Sequence, residues 1–425
     1  MVKKLVLREK LREIIPYLAD KEIIIILGAR RVGKTTLLSQ IKDFFTQEKK
    51  VKEDDIYLLN LDLVDDLMIV KDQSSFIKYL KSRINNNKIY FFVDEVQRLE
   101  NPGLFFKGIY DLNLPVKFIL SGSSSLEIKA KTQEPLTGRK KIFYLYPFSF
   151  EEFLFLKDEK LFKIKDSKDL SPFDKKSIRS YLYEFMVWGG YPEVCLEENI
   201  EKKIKTSEEI FNSYLDKDIV NFLKIEDKVV FAKMVKILAS QIGNLVNVNE
   251  ISGTLGIKNE TTKKYLNALE STFVIKLVSP FFRNVRKEIT KMPKVYFIDN
   301  GLCNFSLKRF EEYEKREDQG EVLENYIFSL LIKRLNTFDG LFFWRTKDKA
   351  EIDFIVERED LLPIEVKAVK LKSPIFPRAL LGFSKVYQIK KVLIVNLSLN
   401  DKIEKNGLDI QYVLPEELDK TIFLK

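Results

Sequence analysis

The sequence predicts an α/β protein of several domains: a parallel-sheet core around a phosphate-binding loop, a helical segment, a winged helix-turn-helix, and a second α/β domain at the C-terminus. Three observations carry this expectation. Residues 23–27, IIIIL, form a continuous β-branched run that leads directly into Gly28-Ala-Arg-Arg-Val-Gly33-Lys34-Thr35. A second apolar run, 89–93, ends in Asp94-Glu95. The C-terminal third reads as a helix and three strands that carry Asp353 and a Glu365-x-Lys367 pair.

The first run is short, apolar on every residue and bounded by glycine, which suits a fully buried parallel strand. The loop after it satisfies GxxxxGK[ST]. Its glycines let successive N–H groups curl into an anion-holding nest, and the helix that follows turns its positive end to the same place. Gly28, Arg31, Gly33, Lys34, Thr35 and Thr36 are therefore the expected nucleotide-binding residues. Lys34 would reach the β and γ phosphates of ATP and Thr35 would ligate Mg²⁺. Asp94, at the end of the second buried strand, would hold the same metal, and Glu95 would orient the attacking water. A third apolar strand, Val116 to Leu120, ends in serines. Ser121 and Ser123 are placed there to sense the γ-phosphate.

The bulk numbers bound the rest. A chain of 425 residues has length for about two to four domains. The formal net charge of +9 is compatible with a polyanionic partner and equally with a lysine-rich solvated surface. The absence of histidine excludes Ser-His-Asp hydrolysis, Cys-His proteolysis and histidine-ligated zinc. Two distant cysteines, Cys195 and Cys303, read as buried thiols of a reducing compartment. The N-terminus lacks the apolar core of a signal peptide, and no window is long and apolar enough to span a membrane, so a cytoplasmic location is expected.

GARRVGKTT, FFVDE, LSGSS and TGRKKIFYLYPFSFEEF, in this order, resemble the AAA-type ATPases common in archaea and many bacteria. The likeness extends through WGGYPEV (188–194), SYLDKDIV (213–220) and the FWRTKDKAEIDFIV…LLPIEVKA stretch (343–368). It implies an ATPase core over 1–150, and at Arg139 an arginine finger that acts on a neighbouring subunit, hence a homo-oligomer. Its charge would stabilise the γ-phosphoryl oxygens. Residues 151–228 read as a helical lid, with aromatic residues at helical spacing and a break at Gly189-Gly190-Tyr191-Pro192; 157–177 reads as a charged loop within it.

Residues 229–310 are expected to form the winged helix. Helices near 231–242, 248–255 and 260–272 precede strands at 274–281 and 294–299. The third helix would face DNA with Lys258, Asn259, Thr261, Thr262, Lys263 and Lys264; Arg283, Arg286 and Lys287 would touch phosphates from the wing.

Residues 311–425 follow a charged linker or helix at 308–321. They match the layout of a PD-(D/E)xK nuclease, a restriction-endonuclease-like α/β domain. Asp353 and Glu365 would bind Mg²⁺, Lys367 would polarise a water, and Glu324 on the leading amphipathic helix would add a carboxylate. In LPIEVKA, Ile364, Val366 and Ala368 share one face of a strand and Glu365 and Lys367 the other. The leading expectation is an ATPase that processes nucleic acid. The alternatives are a non-cleaving, nucleotide-controlled switch or scaffold that binds DNA or protein, and a motor that remodels protein clients.

Overall fold

A computed structural model describes residues 6–84, 87–123, 136–167, 169–214, 227–283, 291–348, 350–405 and 407–423. The four expected segments fall into two compact units. The first comprises the described parts of 1–148, 209–225 and 271–273; the second holds the rest.

The first unit is built on five strands: β1 (Ile23–Leu27), β2 (Ile56–Asn60), β3 (Ile89–Asp94), β4 (Val116–Gly122) and β5 (Lys140–Tyr144). Every pairing is parallel and the order is β2-β3-β4-β1-β5. All five residues of β1 are buried, as a β-branched run covered on both faces requires. Phe76, Phe91, Phe106 and Phe118 fill one side of the sheet with mutually tilted rings. The sequence reading did not anticipate β2, where buried and exposed residues mix.

In the second unit, helices Phe150–Lys157 and Pro172–Trp188 each begin with a capping box, Ser149 with Glu152 and Ser171 with Asp174. The region expected as a charged loop thus holds the helix Glu159–Ile164 and the start of the next. Local capping outweighed net charge there. Gly190 N donates to Asp299 Oδ2 at 2.7 Å, and Asn304 Nδ2 donates to the carbonyls of Met186 and Val187. These bonds tie the expected lid to the expected middle domain, which is why the two share one unit.

Helices Lys228–Ala239, Val248–Leu255 and Asn259–Ser271 precede β6 (Ile275–Val278) and β7 (Lys294–Phe297), an antiparallel pair. The turn between the second and third helices uses Gly256 in the left-handed region, and Ser252 and Thr262 share a hydroxyl hydrogen bond at 2.7 Å. Residues 308–318 are not a solvated linker, because Tyr313 and Arg316 are buried and Arg316 Nε donates to Asp318 at 2.8 Å.

Helix Gln319–Arg334 then leads into β8 (Gly340–Arg345), β9 (Glu351–Glu357) and β10 (Leu361–Lys367), an antiparallel meander. Helix Arg378–Tyr387 connects β10 to β11 (Lys391–Asn396), which runs parallel to it; β12 (Asp401–Lys405) and β13 (Leu408–Val413) complete the order β12-β13-β11-β10-β9-β8. Two sequence expectations change here. The leading helix is buried around most of its surface, with Tyr326 and Phe328 inside as well as Leu323, Ile327 and Leu331. Strand β10 does not alternate, because it lies inside the sheet: Ile364, Glu365 and Val366 are all buried. Among the described residues no helix is long and apolar enough to cross a membrane.

Candidate functional site

Strand β1 delivers the chain to Gly28, where an added Cβ would collide with the carbonyl oxygen of Leu145, so the strand end accepts only glycine. Arg31 and Gly33 adopt left-handed backbone, φ +60° and +93°, the alternation that curls N–H groups into an anion-holding concavity. Helix Lys34–Asp43 starts immediately after, with Thr36 in its first turn. Lys34 is buried, and its Nζ donates to the carbonyls of Gly28 at 3.0 Å and Ala29 at 2.9 Å. The buried Arg8 guanidinium braces the loop through the carbonyls of Val32 and Tyr146, at 2.5 and 2.8 Å. Sequence reasoning missed Arg8, which stands in a charged N-terminal stretch with no motif. Arg31 forms an ion pair with Glu209 at 3.2 Å.

Because β4 lies between β1 and β3, its end sits beside both the loop and Asp94. Thr35 Oγ1 donates to Asp94 Oδ2 at 2.7 Å, the Ser121 hydroxyl donates to Oδ1, and Glu95 N donates to Oδ1 at 3.0 Å. Residues from the loop helix, β3 and β4 therefore converge on one carboxylate. A hydroxyl and a carboxylate side by side are hard oxygen donors of the kind Mg²⁺ takes, and the loop's nest and buried ammonium suit a polyphosphate. Glu95 itself is left-handed, φ +57°, an uncommon conformation for a residue with a side chain. Gln97 Nε2 donates to Glu95 Oε2 and, at 3.0 Å, to Ser123 Oγ, while Gln97 Oε1 is buried with no partner. Ser123 thus meets Gln97, whereas Ser121 meets Asp94. Arg139 lies at the opposite edge: its carbonyl accepts from Ile23 N at the start of β1, and its guanidinium pairs with Asp111 at 2.8 Å. One five-residue strand separates its backbone from the loop, about 16 Å.

In the second unit, Asp353 on β9, Glu365 and Lys367 on β10 and Glu324 on the leading helix come close enough for their charges to interact. Val366 N donates to Asp353 Oδ2 at 2.7 Å, and Lys367 Nζ donates to Glu365 Oε1 at 2.6 Å. Glu365 Oε2 is buried without a partner. Burial, then the charges of Glu324 and Glu365, push the Asp353 carboxyl well above its usual range. Burial also raises Glu365, despite Lys367 beside it. Burial opposes the Lys367 charge, yet Glu365 attracts it strongly enough to leave the ammonium raised above its ordinary value. Glu324 accepts from the buried Tyr296 hydroxyl at 2.5 Å. Among the described residues no three acidic or cysteine side chains are gathered as a ready metal cage, since Glu324 is turned to Tyr296 and Glu365 to Lys367. Mutually repelling carboxylates and an orphaned carboxylate oxygen are nonetheless the donor chemistry a divalent cation relieves. Tyr296 was missed because its partner lies on a distant helix.

On and just before helix Asn259–Ser271, Lys258, Asn259, Lys263 and Lys264 are exposed and Thr261 is half-buried, but Thr262 is fully buried and bonded to Ser252, so it does not face outward. The Arg283 guanidinium lies over the Tyr387 ring at 5.3 Å. Arg286 and Lys287 lie outside the described residues.

Residues 20–154 match the model of the AAA domain, 179–313 a domain of unknown function (DUF8612), and 319–415 another domain of unknown function (DUF4143). The first unit thus carries an AAA-type domain. An uncharacterized protein of Haemophilus influenzae is 27% identical over 97% of this chain and 99% of its own length. An uncharacterized protein of Methanocaldococcus jannaschii is 29% identical over 91% of this chain and 84% of its own. A solved Walker-type ATPase of Pyrococcus abyssi is 14% identical, covering 71% of this chain and 96% of that one with a TM-score of 0.47.

Proposed function

We propose that this chain hydrolyses ATP with Mg²⁺ at its AAA-type domain and couples turnover to nucleic-acid binding or processing through a winged helix and a nuclease-like C-terminal domain. The observation that supports it most is the convergence of Thr35, Ser121 and Glu95 N on Asp94 beside the phosphate loop. In this reading Lys34 releases the loop carbonyls to take the β and γ phosphates. Thr35 and Asp94 hold Mg²⁺, which neutralises charge on the phosphates. Glu95 orients the attacking water, Ser121 relays the state of the γ-phosphate to Asp94, and Arg139 acts on a neighbouring chain. The helix Asn259–Ser271 faces DNA with Asn259 and Lys263, and with Lys258 just before its first turn.

At the C-terminal cluster, Asp353 and Glu365 hold the metal with Glu324 near them. Glu365 holds the Lys367 ammonium above its ordinary value, and in this reading Lys367 polarises water or phosphate by its charge. A non-cleaving switch is the second reading, favoured by one observation: Lys367 is spent on Glu365 and Glu324 on Tyr296.

Incubation with labelled single- and double-stranded DNA, with Mg²⁺ or Mn²⁺ and with or without ATP, decides between them. Cleavage that disappears in Asp353→Ala and Lys367→Ala supports the nuclease reading. Intact DNA alongside normal ATP turnover supports the switch.

A further inference from the structure

The carboxylate cluster contains a cation that no part of this reading uses. Lys294 opens β7 and is 1% exposed. Its Nζ lies 2.5 Å from Glu351 Oε1 and 3.5 Å from Glu324 Oε1, and 5.4 Å from the centre of the Phe343 ring. Its backbone is fixed on two sides, opposite Val278 in the β6–β7 pair and bridged to Leu245. A buried ammonium persists only where carboxylates neutralise it. Lys294 touches Glu324 and Glu351 directly and acts on Asp353 and Glu365 by charge at longer range. Arg345 adds a contact to Glu351 at 3.3 Å, Glu365 Oε2 has no partner and Asp353 Oδ2 has the Val366 N–H.

We propose that Lys294 stands in for a divalent cation on the Glu324–Glu351 side of the cluster, so that the chain itself supplies a charge a second metal ion would otherwise bring. An ammonium and a divalent ion compete for the same carboxylate oxygens, and the lysine is covalently present at high effective concentration. Removing it leaves Glu324 with the Tyr296 hydroxyl and Glu351 with Arg345 alone, and frees the two oxygens that Lys294 holds for a hard cation such as Mg²⁺ or Mn²⁺. The inference rests on the metal reading of Asp353 and Glu365 only for the count at the neighbouring position.

The test is a Mn²⁺ titration of the nucleotide-free full chain, with free Mn²⁺ followed by electron paramagnetic resonance and folding checked by circular dichroism. Lys294→Met and Lys294→Gln are each expected to bind about one more ion than wild type, and the extra ion is lost when Glu351→Gln is added. Equal counts in wild type and in a folded lysine variant overturn the proposal. So does a wild-type chain that already binds an ion lost on Glu351→Gln alone, a result that needs no lysine variant. The metal reading of Asp353 fails separately, if Asp353→Asn leaves the wild-type count unchanged.

Discussion

Thr35 Oγ1 donates to Asp94 Oδ2 at 2.7 Å, joining residues 59 positions apart at the edge of the phosphate loop. The two groups share a hydrogen bond and, in the proposed function, one metal, so they act as a unit. Thr35→Ala and Asp94→Asn are each expected to lower Mg²⁺-dependent ATP turnover by roughly 10- to 100-fold, and the double variant to be little worse than the more severe single one. Steady-state phosphate release measures this; losses that multiply would show the two acting independently.

Glu95 and Gln97 make a second pair. Glu95→Gln is expected to bind ATP while turnover falls by about 100-fold or more, the usual scale for losing a water-orienting carboxylate. Gln97 donates to Glu95 and holds it toward Ser123. Gln97→Ala is therefore expected to raise basal turnover a few-fold by releasing Glu95. A fall in the Gln97 variant would mean that Gln97 positions the carboxylate for reaction.

Arg139 stands a strand length from its own loop, which suits the proposed action on a neighbouring chain. Arg139→Ala and Lys34→Ala, each inactive alone, are expected to regain turnover when mixed, because a chain with an intact loop then meets a chain with an intact arginine. Mixed chains that stay inactive under conditions where wild-type turnover per chain rises with concentration would count against this role.

Asp353 gives a pH-dependent prediction. Its carboxyl is raised well above 3.8 by burial and by Glu324 and Glu365, so ionising it costs folding free energy. Without metal at neutral pH, Asp353→Asn is expected to stabilise the chain by about 1–3 kcal/mol. The sign follows from linkage: the raised group binds more protons folded than unfolded, so wild-type stability falls as pH rises from the ordinary carboxyl range through the folded value. The advantage of the Asn variant therefore vanishes under acid conditions and grows with pH. Thermal melts across pH check this; a variant less stable at neutral pH would contradict it.

The N-terminal site was legible because its chemistry sits in local strings. A β-branched run, a glycine-bounded loop and Asp94 after a second run need no knowledge of distant contacts, and the parallel sheet then brings them together. What escaped notice depends on long-range packing. Arg8, Gln97, Lys294, Tyr296 and Glu351 carry no motif and acquire partners only in the fold. Thr262 was misread because a helix face cannot be assigned before its neighbour, Ser252, is known. Glu365 looked like an outward residue of an alternating strand; two-sided cover of β10 put it inside. The charged stretch 157–177 reads as a loop and 308–321 as a linker or helix because charge masks Ser171, Tyr313 and Arg316, whose caps and burial organise them.

The most direct test is calorimetric titration of the full chain with a non-hydrolysable ATP analogue, with and without Mg²⁺, for wild type and Lys34→Ala. One analogue per chain is expected, tightened by Mg²⁺ and weakened by about 100-fold or more in the lysine variant. Binding of the same strength in both proteins, or no heat in either, would contradict the claim that residues 28–35 grip a triphosphate.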